Sequence, residues 1–126
     1  MKEQKTTERR KYTRFAAITL AVIKCDISVN IHAFEISEFH TYTHNISEGG
    51  INVTLEEDLP SSTMVELKLY LTGRLRPIEC KGQVAWSKAI SPKLVEPRIF
   101  SIGIKFIELD YVGRETIKKL VSCLLE

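Results

Sequence analysis

The chain has 126 residues and a mass of 14.4 kDa, enough for one domain with a single core that needs neither disulfide nor metal to hold it. Hydrophobic residues make up 44% and charged residues 27%, which excludes disordered and fibrous classes. The net charge is only +2, and the longest apolar stretch, Phe15 to Ile23, is broken by Thr19 and reaches about half the roughly 20 residues a membrane-spanning helix needs.

The first segment in the chain is a basic arm. Residues 1–14 carry Lys2, Lys5, Arg9, Arg10, Lys11 and Arg14 against Glu3 and Glu8, a net +4, while the other 112 residues carry twelve basic and fourteen acidic groups, a net −2. A positive arm on a slightly negative body suits an anionic partner: a nucleotide, nucleic acid, anionic membrane or acidic protein. It is equally the composition of an idle, solvated tail. The opening Met1-Lys2-Glu3-Gln4-Lys5 has no apolar core and no small-residue cleavage site, so the expected location is the cytoplasm.

Short segments with period-2 alternation follow, each the mark of a strand with one buried face. Ile18, Leu20 and Val22 start the first; an irregular stretch from Ile27 to Tyr42 holds one or two more. After a turn at Asn45 to Gly50, Ile51 to Leu55 alternates cleanly, and Glu56-Glu57-Asp58 with Pro60 marks the next turn. Val65, Leu67, Leu69 and Leu71 give the most regular strand, which Gly73 ends. Ile78 to Ala89 is a strand with Val84 and Trp86 expected on one face, and Trp86 is assigned to the core. A loop from Ser91 to Pro97 leads to a last strand marked by Ile102, Ile104 and Phe106. The period then changes: Ile117, Leu120, Val121, Leu124 and Leu125 share one face of a helix over about 110–126, with Lys118 and Lys119 on the other. The residues alone point to a mainly β domain, a small antiparallel barrel or a sandwich closed by one helix.

Two local patterns carry chemistry. Arg9-Arg10-Lys11-Tyr12-Thr13-Arg14 contains Arg10-x-x-x-Arg14, and Asn45-Ile46-Ser47-Glu48-Gly49-Gly50 contains Asn-x-Ser-x-x-Gly. Arginine binds phosphate bidentately, reads the O6/N7 edge of guanine and stacks on a purine face. Asn and Ser offer short polar groups to base edges or to their own turn, and glycine permits positive φ and close approach of a ligand to the backbone. Each pattern alone also reads as a solvated basic segment or a simple turn.

In this order, one or two strands apart, and followed by Val84-Ala85-Trp86 and Phe100-Ser101-Ile102-Gly103-Ile104-Lys105-Phe106 before a helix, these motifs resemble the PilZ family from about Glu8 to the C-terminus. The resemblance implies a six-stranded antiparallel, split β-barrel over residues 15–126 with a C-terminal helix, preceded by a flexible basic arm at 1–14. It implies a receptor for the second messenger cyclic di-GMP, not an enzyme, in which Arg10 and Arg14 grip phosphates and guanine, Asn45 and Ser47 contact guanine edges, and Gly50 shapes the turn. Arg9 matches a position whose arginine often accompanies two stacked ligands. Asn45 stands where the family more often has Asp. The expected mechanism is ordering of the arm over the ligand, altering the surface offered to an effector protein that controls motility, adhesion or exopolysaccharide. The alternative is an interaction module of the same fold that binds no nucleotide; a single-stranded nucleic-acid binder ranks third, since no exposed aromatic series is evident.

The remaining polar residues suggest no further chemistry. His40 and His44 share a strand face but lack an apparent third ligand, so no metal is expected. Ser47 has no nucleophile elbow and no His/Asp partner, so no catalysis is expected. Cys25, Cys80 and Cys123 form no Cys-x-x-Cys pair and read as reduced, mostly buried thiols. No cofactor other than the ligand is implied, and the oligomeric state is left as monomer or homodimer.

Overall fold

The computed structural model describes residues 23–32, 35–71 and 73–125. Six strands, β1 (Lys24–His32), β2 (Glu35–Ile46), β3 (Gly50–Leu55), β4 (Met64–Tyr70), β5 (Ile78–Ala89) and β6 (Phe100–Glu108), are followed by one helix, α1 (Tyr111–Leu125). They close into a barrel in the order β1-β2-β3-β6-β5-β4, every neighbouring pair antiparallel. Chain direction places the β2–β3 turn, the β4–β5 turn and the β6–α1 junction at one end. The β1–β2, β3–β4 and β5–β6 connections lie at the other.

Alternation decides which side chains enter the barrel. Cys25, Ile27 and Val29 of β1, Val53 of β3, Leu67 and Leu69 of β4, Val84 of β5 and Ile102 of β6 are fully or almost fully buried in one cluster. Each such aliphatic residue contributes about 1.5–3 kcal/mol relative to exposure. The β3–β4 connection, which runs between strands that are not neighbours, sends Leu59 into the same core. At the opposite end α1 buries Ile117 and Val121, while Lys118 and Lys119 face solvent as the helical period requires. The helix starts on Asp110, whose Oδ1 accepts the Gly113 N–H at 2.6 Å, an N-cap that satisfies one orphan amide.

The irregular stretch from Ile27 to Tyr42 belongs to two strands, β1 and β2. The inward positions of β2 are Ser37, Phe39, Thr41 and Thr43, largely hydroxyl residues, and Ile36 points outward with 70% of its surface exposed. Thr43 tolerates burial because its Oγ1 accepts the Ile23 N–H at 3.2 Å while its own N–H donates to Ile23 O at 2.8 Å. The strand expected from Ile18, Leu20 and Val22, the arm at 1–14 and the boundary at residue 15 lie outside the described residues. Cys25 and Cys80 are buried free thiols, and burial pushes both up to about 12. They are protonated, inert core residues in neutral solution. Among the described residues no helix is long and apolar enough to cross a membrane.

Candidate ligand-binding site

The Asn-x-Ser-x-x-Gly motif forms the β2–β3 turn. Ser47 N–H donates to Gly50 O at 2.9 Å, and the Ser47 hydroxyl accepts the Gly49 N–H at 3.1 Å while lying 3.4 Å from Gly50 O. The hydroxyl therefore builds the turn first and keeps one lone pair for a ligand. Gly49 O accepts the Phe106 N–H at 2.9 Å, tying the turn to β6. Gly50 is required by packing and not by positive φ: a Cβ there would lie 2.2 Å from Ile104 O and 3.0 Å from Lys105 Cα. Its close neighbour is the β6 backbone, so the absence of a side chain at Gly50 lets β3 and β6 approach each other at the turn.

Two bulges turn the site's side chains outward. The β2–β3 register shifts between Thr43 and Asn45, so that Thr43 and Ile46 are both buried while His44 and Asn45 both lie on the outer wall. In β5 the register shifts between Val84 and Trp86: Val84 faces Ile104, but Trp86 faces Gly103. The extra residue, Ala85, sends the indole to the outside with 47% of its surface exposed. Trp86 does not share the inward face of Val84 and is not core, which overturns the expectation from simple alternation. Its ring lies over Gly103, where a Cβ would come within 2.4 Å of ring atoms.

The pairings Asn45↔Asn52, Asn52↔Gly103 and Gly103↔Trp86 set these residues in one row across β2, β3, β6 and β5. The row makes a shallow bay on the outer wall: two amide side chains at one side and, at the other, an indole seated over Gly103. Asn52 Nδ2 donates to Ser101 Oγ at 3.0 Å and to Ile102 O at 3.1 Å. His44 is bonded to Thr54 Oγ1, one residue pair further along the wall. Lys105, opposite Gly50, is exposed and forms no salt bridge with a described residue, leaving a cation beside the turn. Asn52, Trp86 and Lys105 were missed as site residues. Only the register across four strands brings them to the motif, although the outward position of Asn52 follows from the alternation of β3.

Arg9, Arg10 and Arg14 lie outside the described residues, so the structure brings together Asn45, Ser47 and Gly50 of the expected set. His40 and His44 both face outward, but His40 pairs with Asp26 at 2.7 Å, and no group of three or more metal-ligating side chains occurs among the described residues. The His40 hydrogen bond, aided by one from the Tyr70 hydroxyl at 2.8 Å, holds the Asp26 carboxyl below the usual carboxylate range against some desolvation. A separate groove of about 610 Å³ opens on the opposite wall, lined by Glu66, Lys68, Glu79, Lys81, Glu108 and Arg114 among others. Its charges alternate in sign, and it offers no convergent set of donors or acceptors.

A closed six-stranded antiparallel barrel with a motif-bearing β2–β3 turn and one C-terminal helix defines the class of protein. The chain matches the PilZ domain over residues 8–122 and belongs to the PilZ family. Among solved structures it is similar to the Bacillus subtilis inhibitor of motility MotI/DgrA, at 24% identity and TM-score 0.68, with 91% of this chain and 50% of that one covered. It is also similar to K. pneumonia MrkH, at 16% identity and TM-score 0.64, with 81% of this chain and 45% of that one covered. The PilZ domain of Escherichia coli YcgR with c-di-GMP aligns at 10% identity and TM-score 0.57, with 81% and 82% covered. These likenesses show the fold, and the chain spans about half the length of MotI and MrkH. No curated protein sequence matches it.

Proposed function

We propose that this chain is a cyclic di-GMP receptor whose ligand lies on the outer wall of the barrel, beside the β2–β3 turn, under the arginines of the N-terminal arm. The observation that carries the reading is the pair of bulges that turns Asn45 and Trp86 outward onto one row. Strand bulges are a common means of re-aiming a side chain at a site. The resulting bay offers amide groups for a base edge and an aromatic face for a purine plane. Membership of the PilZ family and retention of both motifs support the same ligand. Arg10 and Arg14 would grip its phosphates and guanines, Asn45 would meet a base edge, and Ser47 and Gly50 would hold the turn in its binding shape.

The domain acts as a sensor and not as a catalyst: ligand binding orders the arm and presents a new surface to an effector protein, with motility, adhesion or exopolysaccharide as the controlled process. Isothermal titration of the full chain with cyclic di-GMP, with GTP as control, tests the reading. Replacing Arg10 or Arg14 by Ala removes charge-assisted bonds of about 1.5–3 kcal/mol each, a loss of roughly 10- to 150-fold in affinity. Unchanged affinity in both variants would sink the assignment of the arm. No binding by the wild type at high micromolar ligand would leave an interaction module of the same fold.

A further inference from the structure

We propose that Asn52, outside both sequence motifs, selects guanine at this site, with its side-chain Oδ1 as a fixed acceptor for the N1–H and N2–H donors of the base. The inference rests on the cyclic di-GMP reading above. Asn52 stands between Asn45 and Gly103 in the outer-wall row, with the Trp86 ring covering the glycine. Its amide cannot be turned over. Ile102 O is a backbone carbonyl, which only accepts, so the atom 3.1 Å away must be Nδ2, and Ser101 Oγ at 3.0 Å takes the second N–H. Both donors are therefore spent inside the wall.

The consequence is an oriented acceptor. Oδ1 of Asn52 receives no hydrogen bond from a described residue, and it is not one of the buried polar atoms without a partner, so it is open to solvent. The Asn45 side chain, by contrast, has no described hydrogen-bond partner and can present either its oxygen or its NH2. Guanine presents adjacent N–H donors on its Watson–Crick edge. Adenine presents the N6–H2 donor beside the lone pair of N1, so an oxygen that meets the amino group is set against that lone pair where guanine offers a second donor. A site that commits a buried-side hydrogen bond to one base disfavours the analogue that lacks the donor. The acceptor held by Asn52 also supplements Asn45, which lacks the negative charge of the more frequent Asp.

Titration of the full chain with cyclic di-GMP and cyclic di-AMP, using wild type, Asn52→Ala, Asn52→Ser and Arg10→Ala, decides the matter. The expected result is a loss of about 5- to 10-fold in cyclic di-GMP affinity for both Asn52 variants, with cyclic di-AMP binding unchanged or stronger, so that base preference narrows. Thermal melting accompanies each variant, and Asn52→Ser, which keeps a polar side chain on the wall, is read if Asn52→Ala melts early. Wild-type affinity and preference in a folded Asn52 variant, beside loss in Arg10→Ala, overturns the role of Asn52 and leaves the receptor reading standing. Failure of the wild type to bind cyclic di-GMP overturns both.

Discussion

Individual residues at the site are constrained by geometry that has nothing to do with the ligand. Gly50 lies in the ligand motif, yet the atom that forbids a side chain there is Ile104 O, 2.2 Å from where a Cβ would sit. Gly50→Ala must push β3 away from β6, an overpacking strain of about 1–3 kcal/mol. A lower urea midpoint with an unchanged slope is expected, and it will appear in the absence of any ligand. Equal stability would mean that the turn adjusts freely and that Gly50 answers to the ligand after all. Ser47 shows the same economy, since its hydroxyl closes the turn before it can touch anything else.

At the scale of the element, strands with a clean apolar alternation were legible and those without it were not. β3 and β4 emerge from Ile51 to Leu55 and from Val65 to Leu71 because their inward residues are purely aliphatic, although β4 itself ends at Tyr70. β2 resisted because its inward face is Ser37, Phe39, Thr41 and Thr43, of which the two threonine hydroxyls are accommodated by hydrogen bonds that no local pattern reveals. α1 was legible from its 3.6-residue period, whereas its cap at Asp110 emerged only in the structure. Trp86 was misplaced for a different reason: alternation propagates parity along a strand, and the bulge at Ala85 changes that parity. Deleting Ala85 removes the extra residue and leaves Trp86 directly after inward Val84, so plain alternation keeps the indole on the outer wall opposite Gly103. Because Trp86 is the single tryptophan, emission reports the outcome directly. An emission maximum close to that of the parent chain is expected; a clear blue shift would show that the strand slips register and carries the indole inward.

On the scale of the whole molecule, the packing that closes the barrel and the arginines of the first motif lie in different parts of the chain. The barrel closes on itself from Lys24 onward and has both ends filled, by Leu59 at one and by Ile117 and Val121 at the other. The basic arm carries the motif arginines. Removing residues 1–14 is therefore expected to leave far-UV circular dichroism and the melting midpoint close to those of the full chain, while cyclic di-GMP affinity falls at least about 100-fold through loss of two or more charge-assisted contacts. Collapse of the melting transition would show that the arm is part of the barrel's own packing. The motifs were legible because their residue types are few and their order is distinctive. The bay was not, since Asn45, Asn52, Gly103 and Trp86 are neighbours only through the pairing of strands far apart in the chain.

The closed ring of strands has one more consequence, for how this protein meets another. Every one of the six strands has a neighbour on both sides, although β2 pairs with β3 only from Thr43 to Ile46 and its earlier residues pair with β1 alone. Where the ring is paired on both sides, a partner has no main-chain edge to which it could add a strand of its own. What docks on those parts of the ring must read side chains on the wall or the loops at the two ends. Partner choice can then be rewritten one surface residue at a time, without disturbing the frame that carries it.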